Sequence, residues 1–171
     1  HNLYYSTNLN SPDVSFREAL LKGLAPDGGL YMPRQLPAFS RDELLSFGEK
    51  NYPETASQIL GSLLRGEADM EDIAEICHNI YDFEIPVEPV DGKFNIMRLD
   101  RGPTASFKDF AALFMSRMMQ YFLSLENQHI VILTATSGDT GSAVANAFHG
   151  MNNIRVIILF PSDEVTDLQR K

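Results

Sequence analysis

Two short apolar runs, at 130–133 and 154–160, bracket a segment with helical signals at 141–148, and this order constrains the fold more than any other feature of the chain. Runs of Val and Ile without polar alternation, set between helices, read as strands buried on both faces and therefore as parallel neighbours in one sheet. Parallel strands need a crossover, and such crossovers are right-handed in nearly every case. Upstream, 94–99 reads as a further strand. The stretch 109–122 reads as a helix, with Phe110, Leu113, Phe114, Met118, Tyr121 and Phe122 at helical spacing. Met115, Met118 and Met119 belong to the packing of that helix. The loops that follow the strands are then expected at the carboxyl ends of the sheet, where open α/β sheets bind ligands.

The first half of the chain has a different texture. Ser15 with Glu18, and Ser40 with Glu43, have the spacing of capping boxes, and Gly23 stops the first of these helices. Pro53 suits the first turn of a helix carrying Ile59, Leu60, Leu63 and Leu64. Asp69 opens another, with Ile73, Ile76, Cys77 and Ile80 on one stripe. Residues 3–7 read as a short strand, and 23–33 as a turn-rich loop. Pro86, Pro89 and Asp91-Gly92 punctuate the chain, giving a mostly helical domain over 1–90 and a parallel α/β domain over 91–171.

Composition excludes several classes of function. With 14 basic against 23 acidic residues the formal charge is −9, which repels a phosphate backbone, so no nucleic-acid partner is expected. The longest apolar stretches fall far short of a membrane span. The N-terminus lacks a basic segment followed by an apolar one, so no secretory signal is expected. His1 in place of an initiator Met is read as a processing residue or a leftover of expression. Cys77, the single cysteine, allows no intrachain disulfide and suits a reducing, cytoplasmic setting. His78 and His149 have no companions at metal-ligand spacing, and no metal site is expected.

Two constellations carry chemistry. In 101–109, Gly102 and Pro103 break the strand, and Ser106 with Asp109 has N-cap spacing, which puts Lys108 in the first turn of a helix. There its cation faces the positive end of the helix dipole between Phe107 and Phe110, surroundings that favour a nucleophilic amine suited to Schiff-base chemistry. The competing reading is a surface lysine snorkelling past an apolar face. In 134–142, small residues and hydroxyls lie between a strand and a helix, so that backbone N–H groups can bind an anion. The spacing fits neither a dinucleotide fingerprint nor a P-loop, which leaves a small carboxylate or phosphate. Here the competing reading is a tight turn rich in capping residues.

The sequences Gly-Pro-Thr-x-x-Phe-Lys-Asp-Phe around Lys108, Thr-Ser-Gly-Asp-Thr-Gly at 136–141 and Gly-Leu-Ala-Pro-Asp-Gly-Gly-Leu-Tyr at 23–31 together resemble the threonine synthase family. The resemblance implies a parallel three-layer α/β domain of fold type II pyridoxal 5'-phosphate enzymes. It implies conversion of O-phospho-L-homoserine and water to L-threonine and phosphate, a lyase step of threonine biosynthesis. By position Lys108 is then the cofactor-binding and catalytic lysine, and Ser137, Gly138, Asp139, Thr140 and Gly141 form the loop for the substrate carboxylate. Arg101 and Thr104 are left open between a phosphate-binding and a structural role. The chain ends at Lys171 inside an expected helix, without a second glycine-rich loop for the cofactor phosphate or a partner for its pyridine nitrogen. A C-terminally truncated fragment, inactive alone, is therefore expected. Two other readings stand beside this one: a related phospho-lyase releasing 2-oxobutyrate, and a degenerate homologue acting as a binding module.

Overall fold

The computed structural model describes residues 2–167, which divide into two compact units at Ile80/Tyr81. The helix expected at the C-terminal end extends beyond the described residues.

In the first unit, β1 (Tyr4–Ser6) is followed by α1 (Phe16–Lys22) and then β2 (Tyr31–Pro33), which pairs antiparallel with β1. The capping boxes form as read: Ser15 accepts from the Glu18 N–H, and Ser40 accepts from the Glu43 N–H to open α2 (Arg41–Ser46). α3 (Tyr52–Leu63) has a third box that the Pro53 signal had obscured, between Asn51 and Glu54. α4 (Met70–Ile80) packs on α3, burying Leu64, Ile73, Cys77 and Ile80. Gly61 on α3 sits where a Cβ would collide with the Met70 sulfur. Burial pushes the Cys77 thiol up to about 11, so it stays protonated and unreactive in the core.

The stretch read as a loop at 23–33 is more ordered than its glycines suggested. Asp27 ties it to the turn after β1: its carboxylate accepts from Ser6 Oγ at 2.6 Å, the Asn10 N–H at 2.9 Å and the Gly29 N–H at 3.0 Å. A Cβ on Gly29 would strike Ser6 Oγ and lie 2.8 Å from the Asn8 nitrogen, so this close approach needs glycine. The Ser6 hydroxyl first, and the Gly29 and Asn10 amides after it, hold the Asp27 carboxyl below its ordinary range. A lowered folded value means that this support is complete above the ordinary carboxylate pKa of about 4 and fades as pH falls below it. Hydrogen exchange should therefore show protection across 6–30 dropping on acidification below about pH 4. Asp27→Asn should flatten that dependence; an unchanged profile would sink the assignment.

The second unit begins with a hairpin, β3 (Val87–Asp91) antiparallel to β4 (Phe94–Met97). Asp91-Gly92, read from sequence as a domain punctuation, forms the turn of this hairpin, with Gly92 at φ 52°. The strand read at 94–99 is thus real but shorter, and it pairs with β3, outside the parallel pair. Next comes α5 (Lys108–Glu126), ended by Asn127 in the left-handed region. β5 (Ile130–Ala135), α6 (Asp139–Phe148) and β6 (Ile154–Leu159) then form the expected crossover, with β5 and β6 parallel and in register from Ile130↔Ile154 to Ala135↔Leu159. The architecture is mixed α/β.

Burial along these strands corrects one expectation. α5 packs on α6, and α6 covers the sheet face that carries Thr136 and Ile158. The other face, with Val131, Leu133, Ile157 and Leu159, is exposed, Leu133 at 65 %. The strands therefore alternate instead of being buried on both faces. Uninterrupted Val and Ile runs mark what a face can bury, and among the described residues only one face has a helix against it.

Candidate functional site

A cavity of about 690 Å³ lies in the second unit, where the loop before α5 meets the loop after β5. Its wall includes Pro103, Thr104 and Ala105 from one loop and Thr136, Gly138, Asp139, Gly141 and Ser142 from the other. The volume lies within the range of sites that hold a cofactor-sized ligand.

The β5–α6 loop is built around one hydroxyl. Thr136 Oγ1 accepts the N–H groups of Gly138 at 3.0 Å and Gly141 at 3.2 Å, folding the loop over the end of the strand. Gly138 has φ 143°, a backbone that side-chain-bearing residues avoid. Its carbonyl takes the first helical bond from the Ser142 N–H at 3.0 Å. A Cβ on Gly141 would lie 2.5 Å from Thr136 Cγ2 and 3.1 Å from Ile158 Cγ2, so the helix start is pressed onto the sheet. Both glycines are buried. The small residues are thus explained in part by packing, and their effect is to bring the positive end of α6 to the cavity.

The five loop residues read from sequence do not all share one surface. Gly138, Asp139 and Gly141 line the cavity. Ser137 lines a shallower depression beside it with Ala135, Thr136, Leu159, Phe160 and Pro161, and Thr140 lines neither. Ser142 and Asn146, on successive turns of α6, and His149, just past its end, extend the wall away from the loop.

Lys108 is the first residue of α5, as the capping signal placed it, but the cap itself differs. Phe107 occupies the cap position without a side-chain bond, and the Lys108 N–H donates to Ser106 Oγ at 3.3 Å. The Asp109 N–H donates to the Ser106 carbonyl at 3.0 Å, but its side chain does not reach back to Ser106; it turns inward, fully buried, and accepts from the Thr104 N–H at 2.9 Å and Thr104 Oγ1 at 2.5 Å. Thr104 is thereby placed as the partner of Asp109, whereas Arg101 is exposed and outside the cavity wall. The expected aromatic surround is half present. Lys108 Nζ stands 5.3 Å from the Phe107 ring centre, but Phe107 is 64 % exposed. Phe110 turns away to stack with Tyr81 and Phe83. Lys108 is half-buried, lies three residues after the cavity-lining turn in the chain, and is not among the residues lining the cavity.

This fold and cavity define the class: an α/β protein with a cavity at the carboxyl ends of parallel strands, lined by the turn that leads into a helix beginning with a lysine. Residues 3–81 match the family described as threonine synthase N terminus. The chain is 39 % identical to a threonine synthase of Haemophilus influenzae over 99 % of its own length, and 35 % identical to one of Pseudomonas aeruginosa over 98 %. It covers 39 % and 37 % of those proteins, so it spans well under half the length of the curated relatives it matches. The crystal structure of pyridoxal-phosphate-bound threonine synthase from Brucella melitensis superposes with a TM-score of 0.94 at 36 % identity, over 99 % of this chain and 38 % of that one. In sequence and in fold, the chain is similar to part of these threonine synthases.

Proposed function

We propose that this chain supplies the lysine and the substrate-carboxylate loop of a pyridoxal-phosphate-dependent threonine synthase, which converts O-phospho-L-homoserine and water to L-threonine and phosphate. The observation that carries the reading is the cavity in which the 103–105 turn, next to Lys108, faces the start of α6. The fit to the cofactor is physical. The cavity has room for it, Gly138 and Gly141 are buried residues of its wall, and the turn leading into Lys108 lines it.

When bound, pyridoxal phosphate acts as an electron sink that makes protons on the α and β carbons of an attached amino acid removable. Lys108 would hold the cofactor through its amine and, once displaced by substrate, carry protons at those two carbons. The 137–141 loop, Ser137, Gly138, Asp139, Thr140 and Gly141, would take the substrate carboxylate at the positive end of α6, with Thr136 fixing the loop's shape. The single cysteine, free and buried, suits a cytoplasmic enzyme.

The test is product identity. Full-length protein incubated with pyridoxal phosphate and O-phospho-L-homoserine should release phosphate and threonine in equal amounts. Phosphate with 2-oxobutyrate would reassign it as a phospho-lyase. Neither turnover nor cofactor uptake would leave a binding module.

A further inference from the structure

We propose that Asp109 is a positioning residue, fixing the cavity-lining turn 102–105 to the helical turn that carries Lys108. The inference rests on the reading of Lys108 as the reactive amine. Asp109 has no exposed surface, and its carboxylate bonds are directed at the turn. Oδ2 accepts the Thr104 N–H at 2.9 Å, and Oδ1 accepts the Thr104 hydroxyl at 2.5 Å. The turn lies directly on the carboxylate: a Cβ on Gly102 would be 2.6 Å from Oδ2 and 3.0 Å from the Asp109 Cβ. Any larger residue at position 102 would push the two apart.

The turn needs this restraint. The Ala105 N–H closes it onto the Gly102 carbonyl at 3.1 Å, which leaves Ala105 at φ 56°, in the left-handed region that an alanine disfavours. Such a backbone persists only where its surroundings over-determine it. Pro103, Thr104 and Ala105 all line the cavity. Asp109 follows Lys108 directly in the chain, so one buried carboxylate sets both the wall of the cavity and the start of the helix beside it. A capping-box side chain would reach back to the Ser106 N–H; the Asp109 carboxylate bonds across to Thr104 instead, while the Asp109 N–H donates to the Ser106 carbonyl at 3.0 Å.

The experiment compares Asp109→Asn, Thr104→Val and Thr104→Ser in the full-length protein. Pyridoxal phosphate is added, the adduct is trapped with borohydride, and its position and rate of formation are mapped by peptide mass. kcat and KM for O-phospho-L-homoserine and the melting temperature of cofactor-free protein are measured alongside. Asp109→Asn keeps the volume but loses one of the two acceptors. It should lower kcat about 100-fold, the scale of an ångström-sized misplacement, and slow trapping at Lys108, with a much smaller change in KM. Its cofactor-free melting temperature should stay within a few degrees of the parent. Thr104→Val should follow it, and Thr104→Ser, which keeps both donors, should recover much of the loss. Parental kcat and trapping in Asp109→Asn would overturn the inference. So would losses that merely track a collapse in melting temperature. Trapping of the parent at a residue other than Lys108 would instead overturn the functional reading, and this inference with it.

Discussion

Replacing Lys108 by alanine in the full-length protein is expected to lower threonine formation by at least about 10³-fold, the scale on which positioned acid–base groups act. Lys108→Arg should be nearly as inactive, because a guanidinium keeps its proton and cannot serve as a nucleophile. Stability separates this outcome from misfolding. Lys108 opens α5, where a cation opposes the helix dipole. Its removal should therefore leave the urea midpoint unchanged, or raise stability by a few tenths of a kcal/mol. Phosphate release above about one per cent of parental in Lys108→Ala would remove this lysine from the mechanism.

Gly141→Ala is the second large effect, and it should act on fold and ligand together. The new methyl would sit 2.5 Å from Thr136 Cγ2 and 3.1 Å from Ile158 Cγ2. Neither neighbour is free to retreat. Thr136 is held by the two amides that its hydroxyl accepts, and Ile158 lies in β6. Overpacking of this kind costs roughly 1–3 kcal/mol. Displacing Thr136 also releases the Gly138 and Gly141 amides, so KM for the substrate should rise at least tenfold, about 1.4 kcal/mol of binding. Gly48→Ala is the control, because a Cβ there meets nothing within 4 Å. Equal urea midpoints and equal KM values for the two variants would refute the packing account.

What the sequence made legible was mostly what is settled by near neighbours in the chain. Ser15 with Glu18 and Ser40 with Glu43 announce their helices because each cap bonds three residues away. The β5–α6–β6 crossover was readable for a similar reason: its apolar runs are short, uninterrupted and separated by a helix-length segment. Asp109 was misread because an aspartate three residues after a serine has the spacing of the local capping rule, though it is a weaker partner there than glutamate. Only the fold of 102–105 reveals Thr104 as a competing donor five residues back. β2 was hidden for a related reason, since its order comes from pairing with β1 and from the Asp27–Ser6 bond, contacts that each span more than twenty residues of sequence. The burial of β5 and β6 could not be read from composition, because apolar runs do not say which face a helix will cover. In the candidate site, the loop from Ser137 to Gly141 was found by its small residues; Thr136 stood in the same motif, but its hydroxyl's hold on the Gly138 and Gly141 amides is visible only in the folded loop.

The uncovered face of the β5–β6 pair has a consequence for how the protein is made. Ala105 and Thr136, on opposite walls of the cavity, are about thirty residues apart, so at roughly 5–20 residues per second they leave the ribosome within about 2–6 s of each other. β6 follows shortly after, and from then on the nascent chain displays Val131, Leu133, Ile157 and Leu159 on one flat surface. Surfaces of that kind are what holdase chaperones bind and what drives nascent chains to associate. The strands that frame the site therefore also carry an apolar face that has to be covered or sheltered.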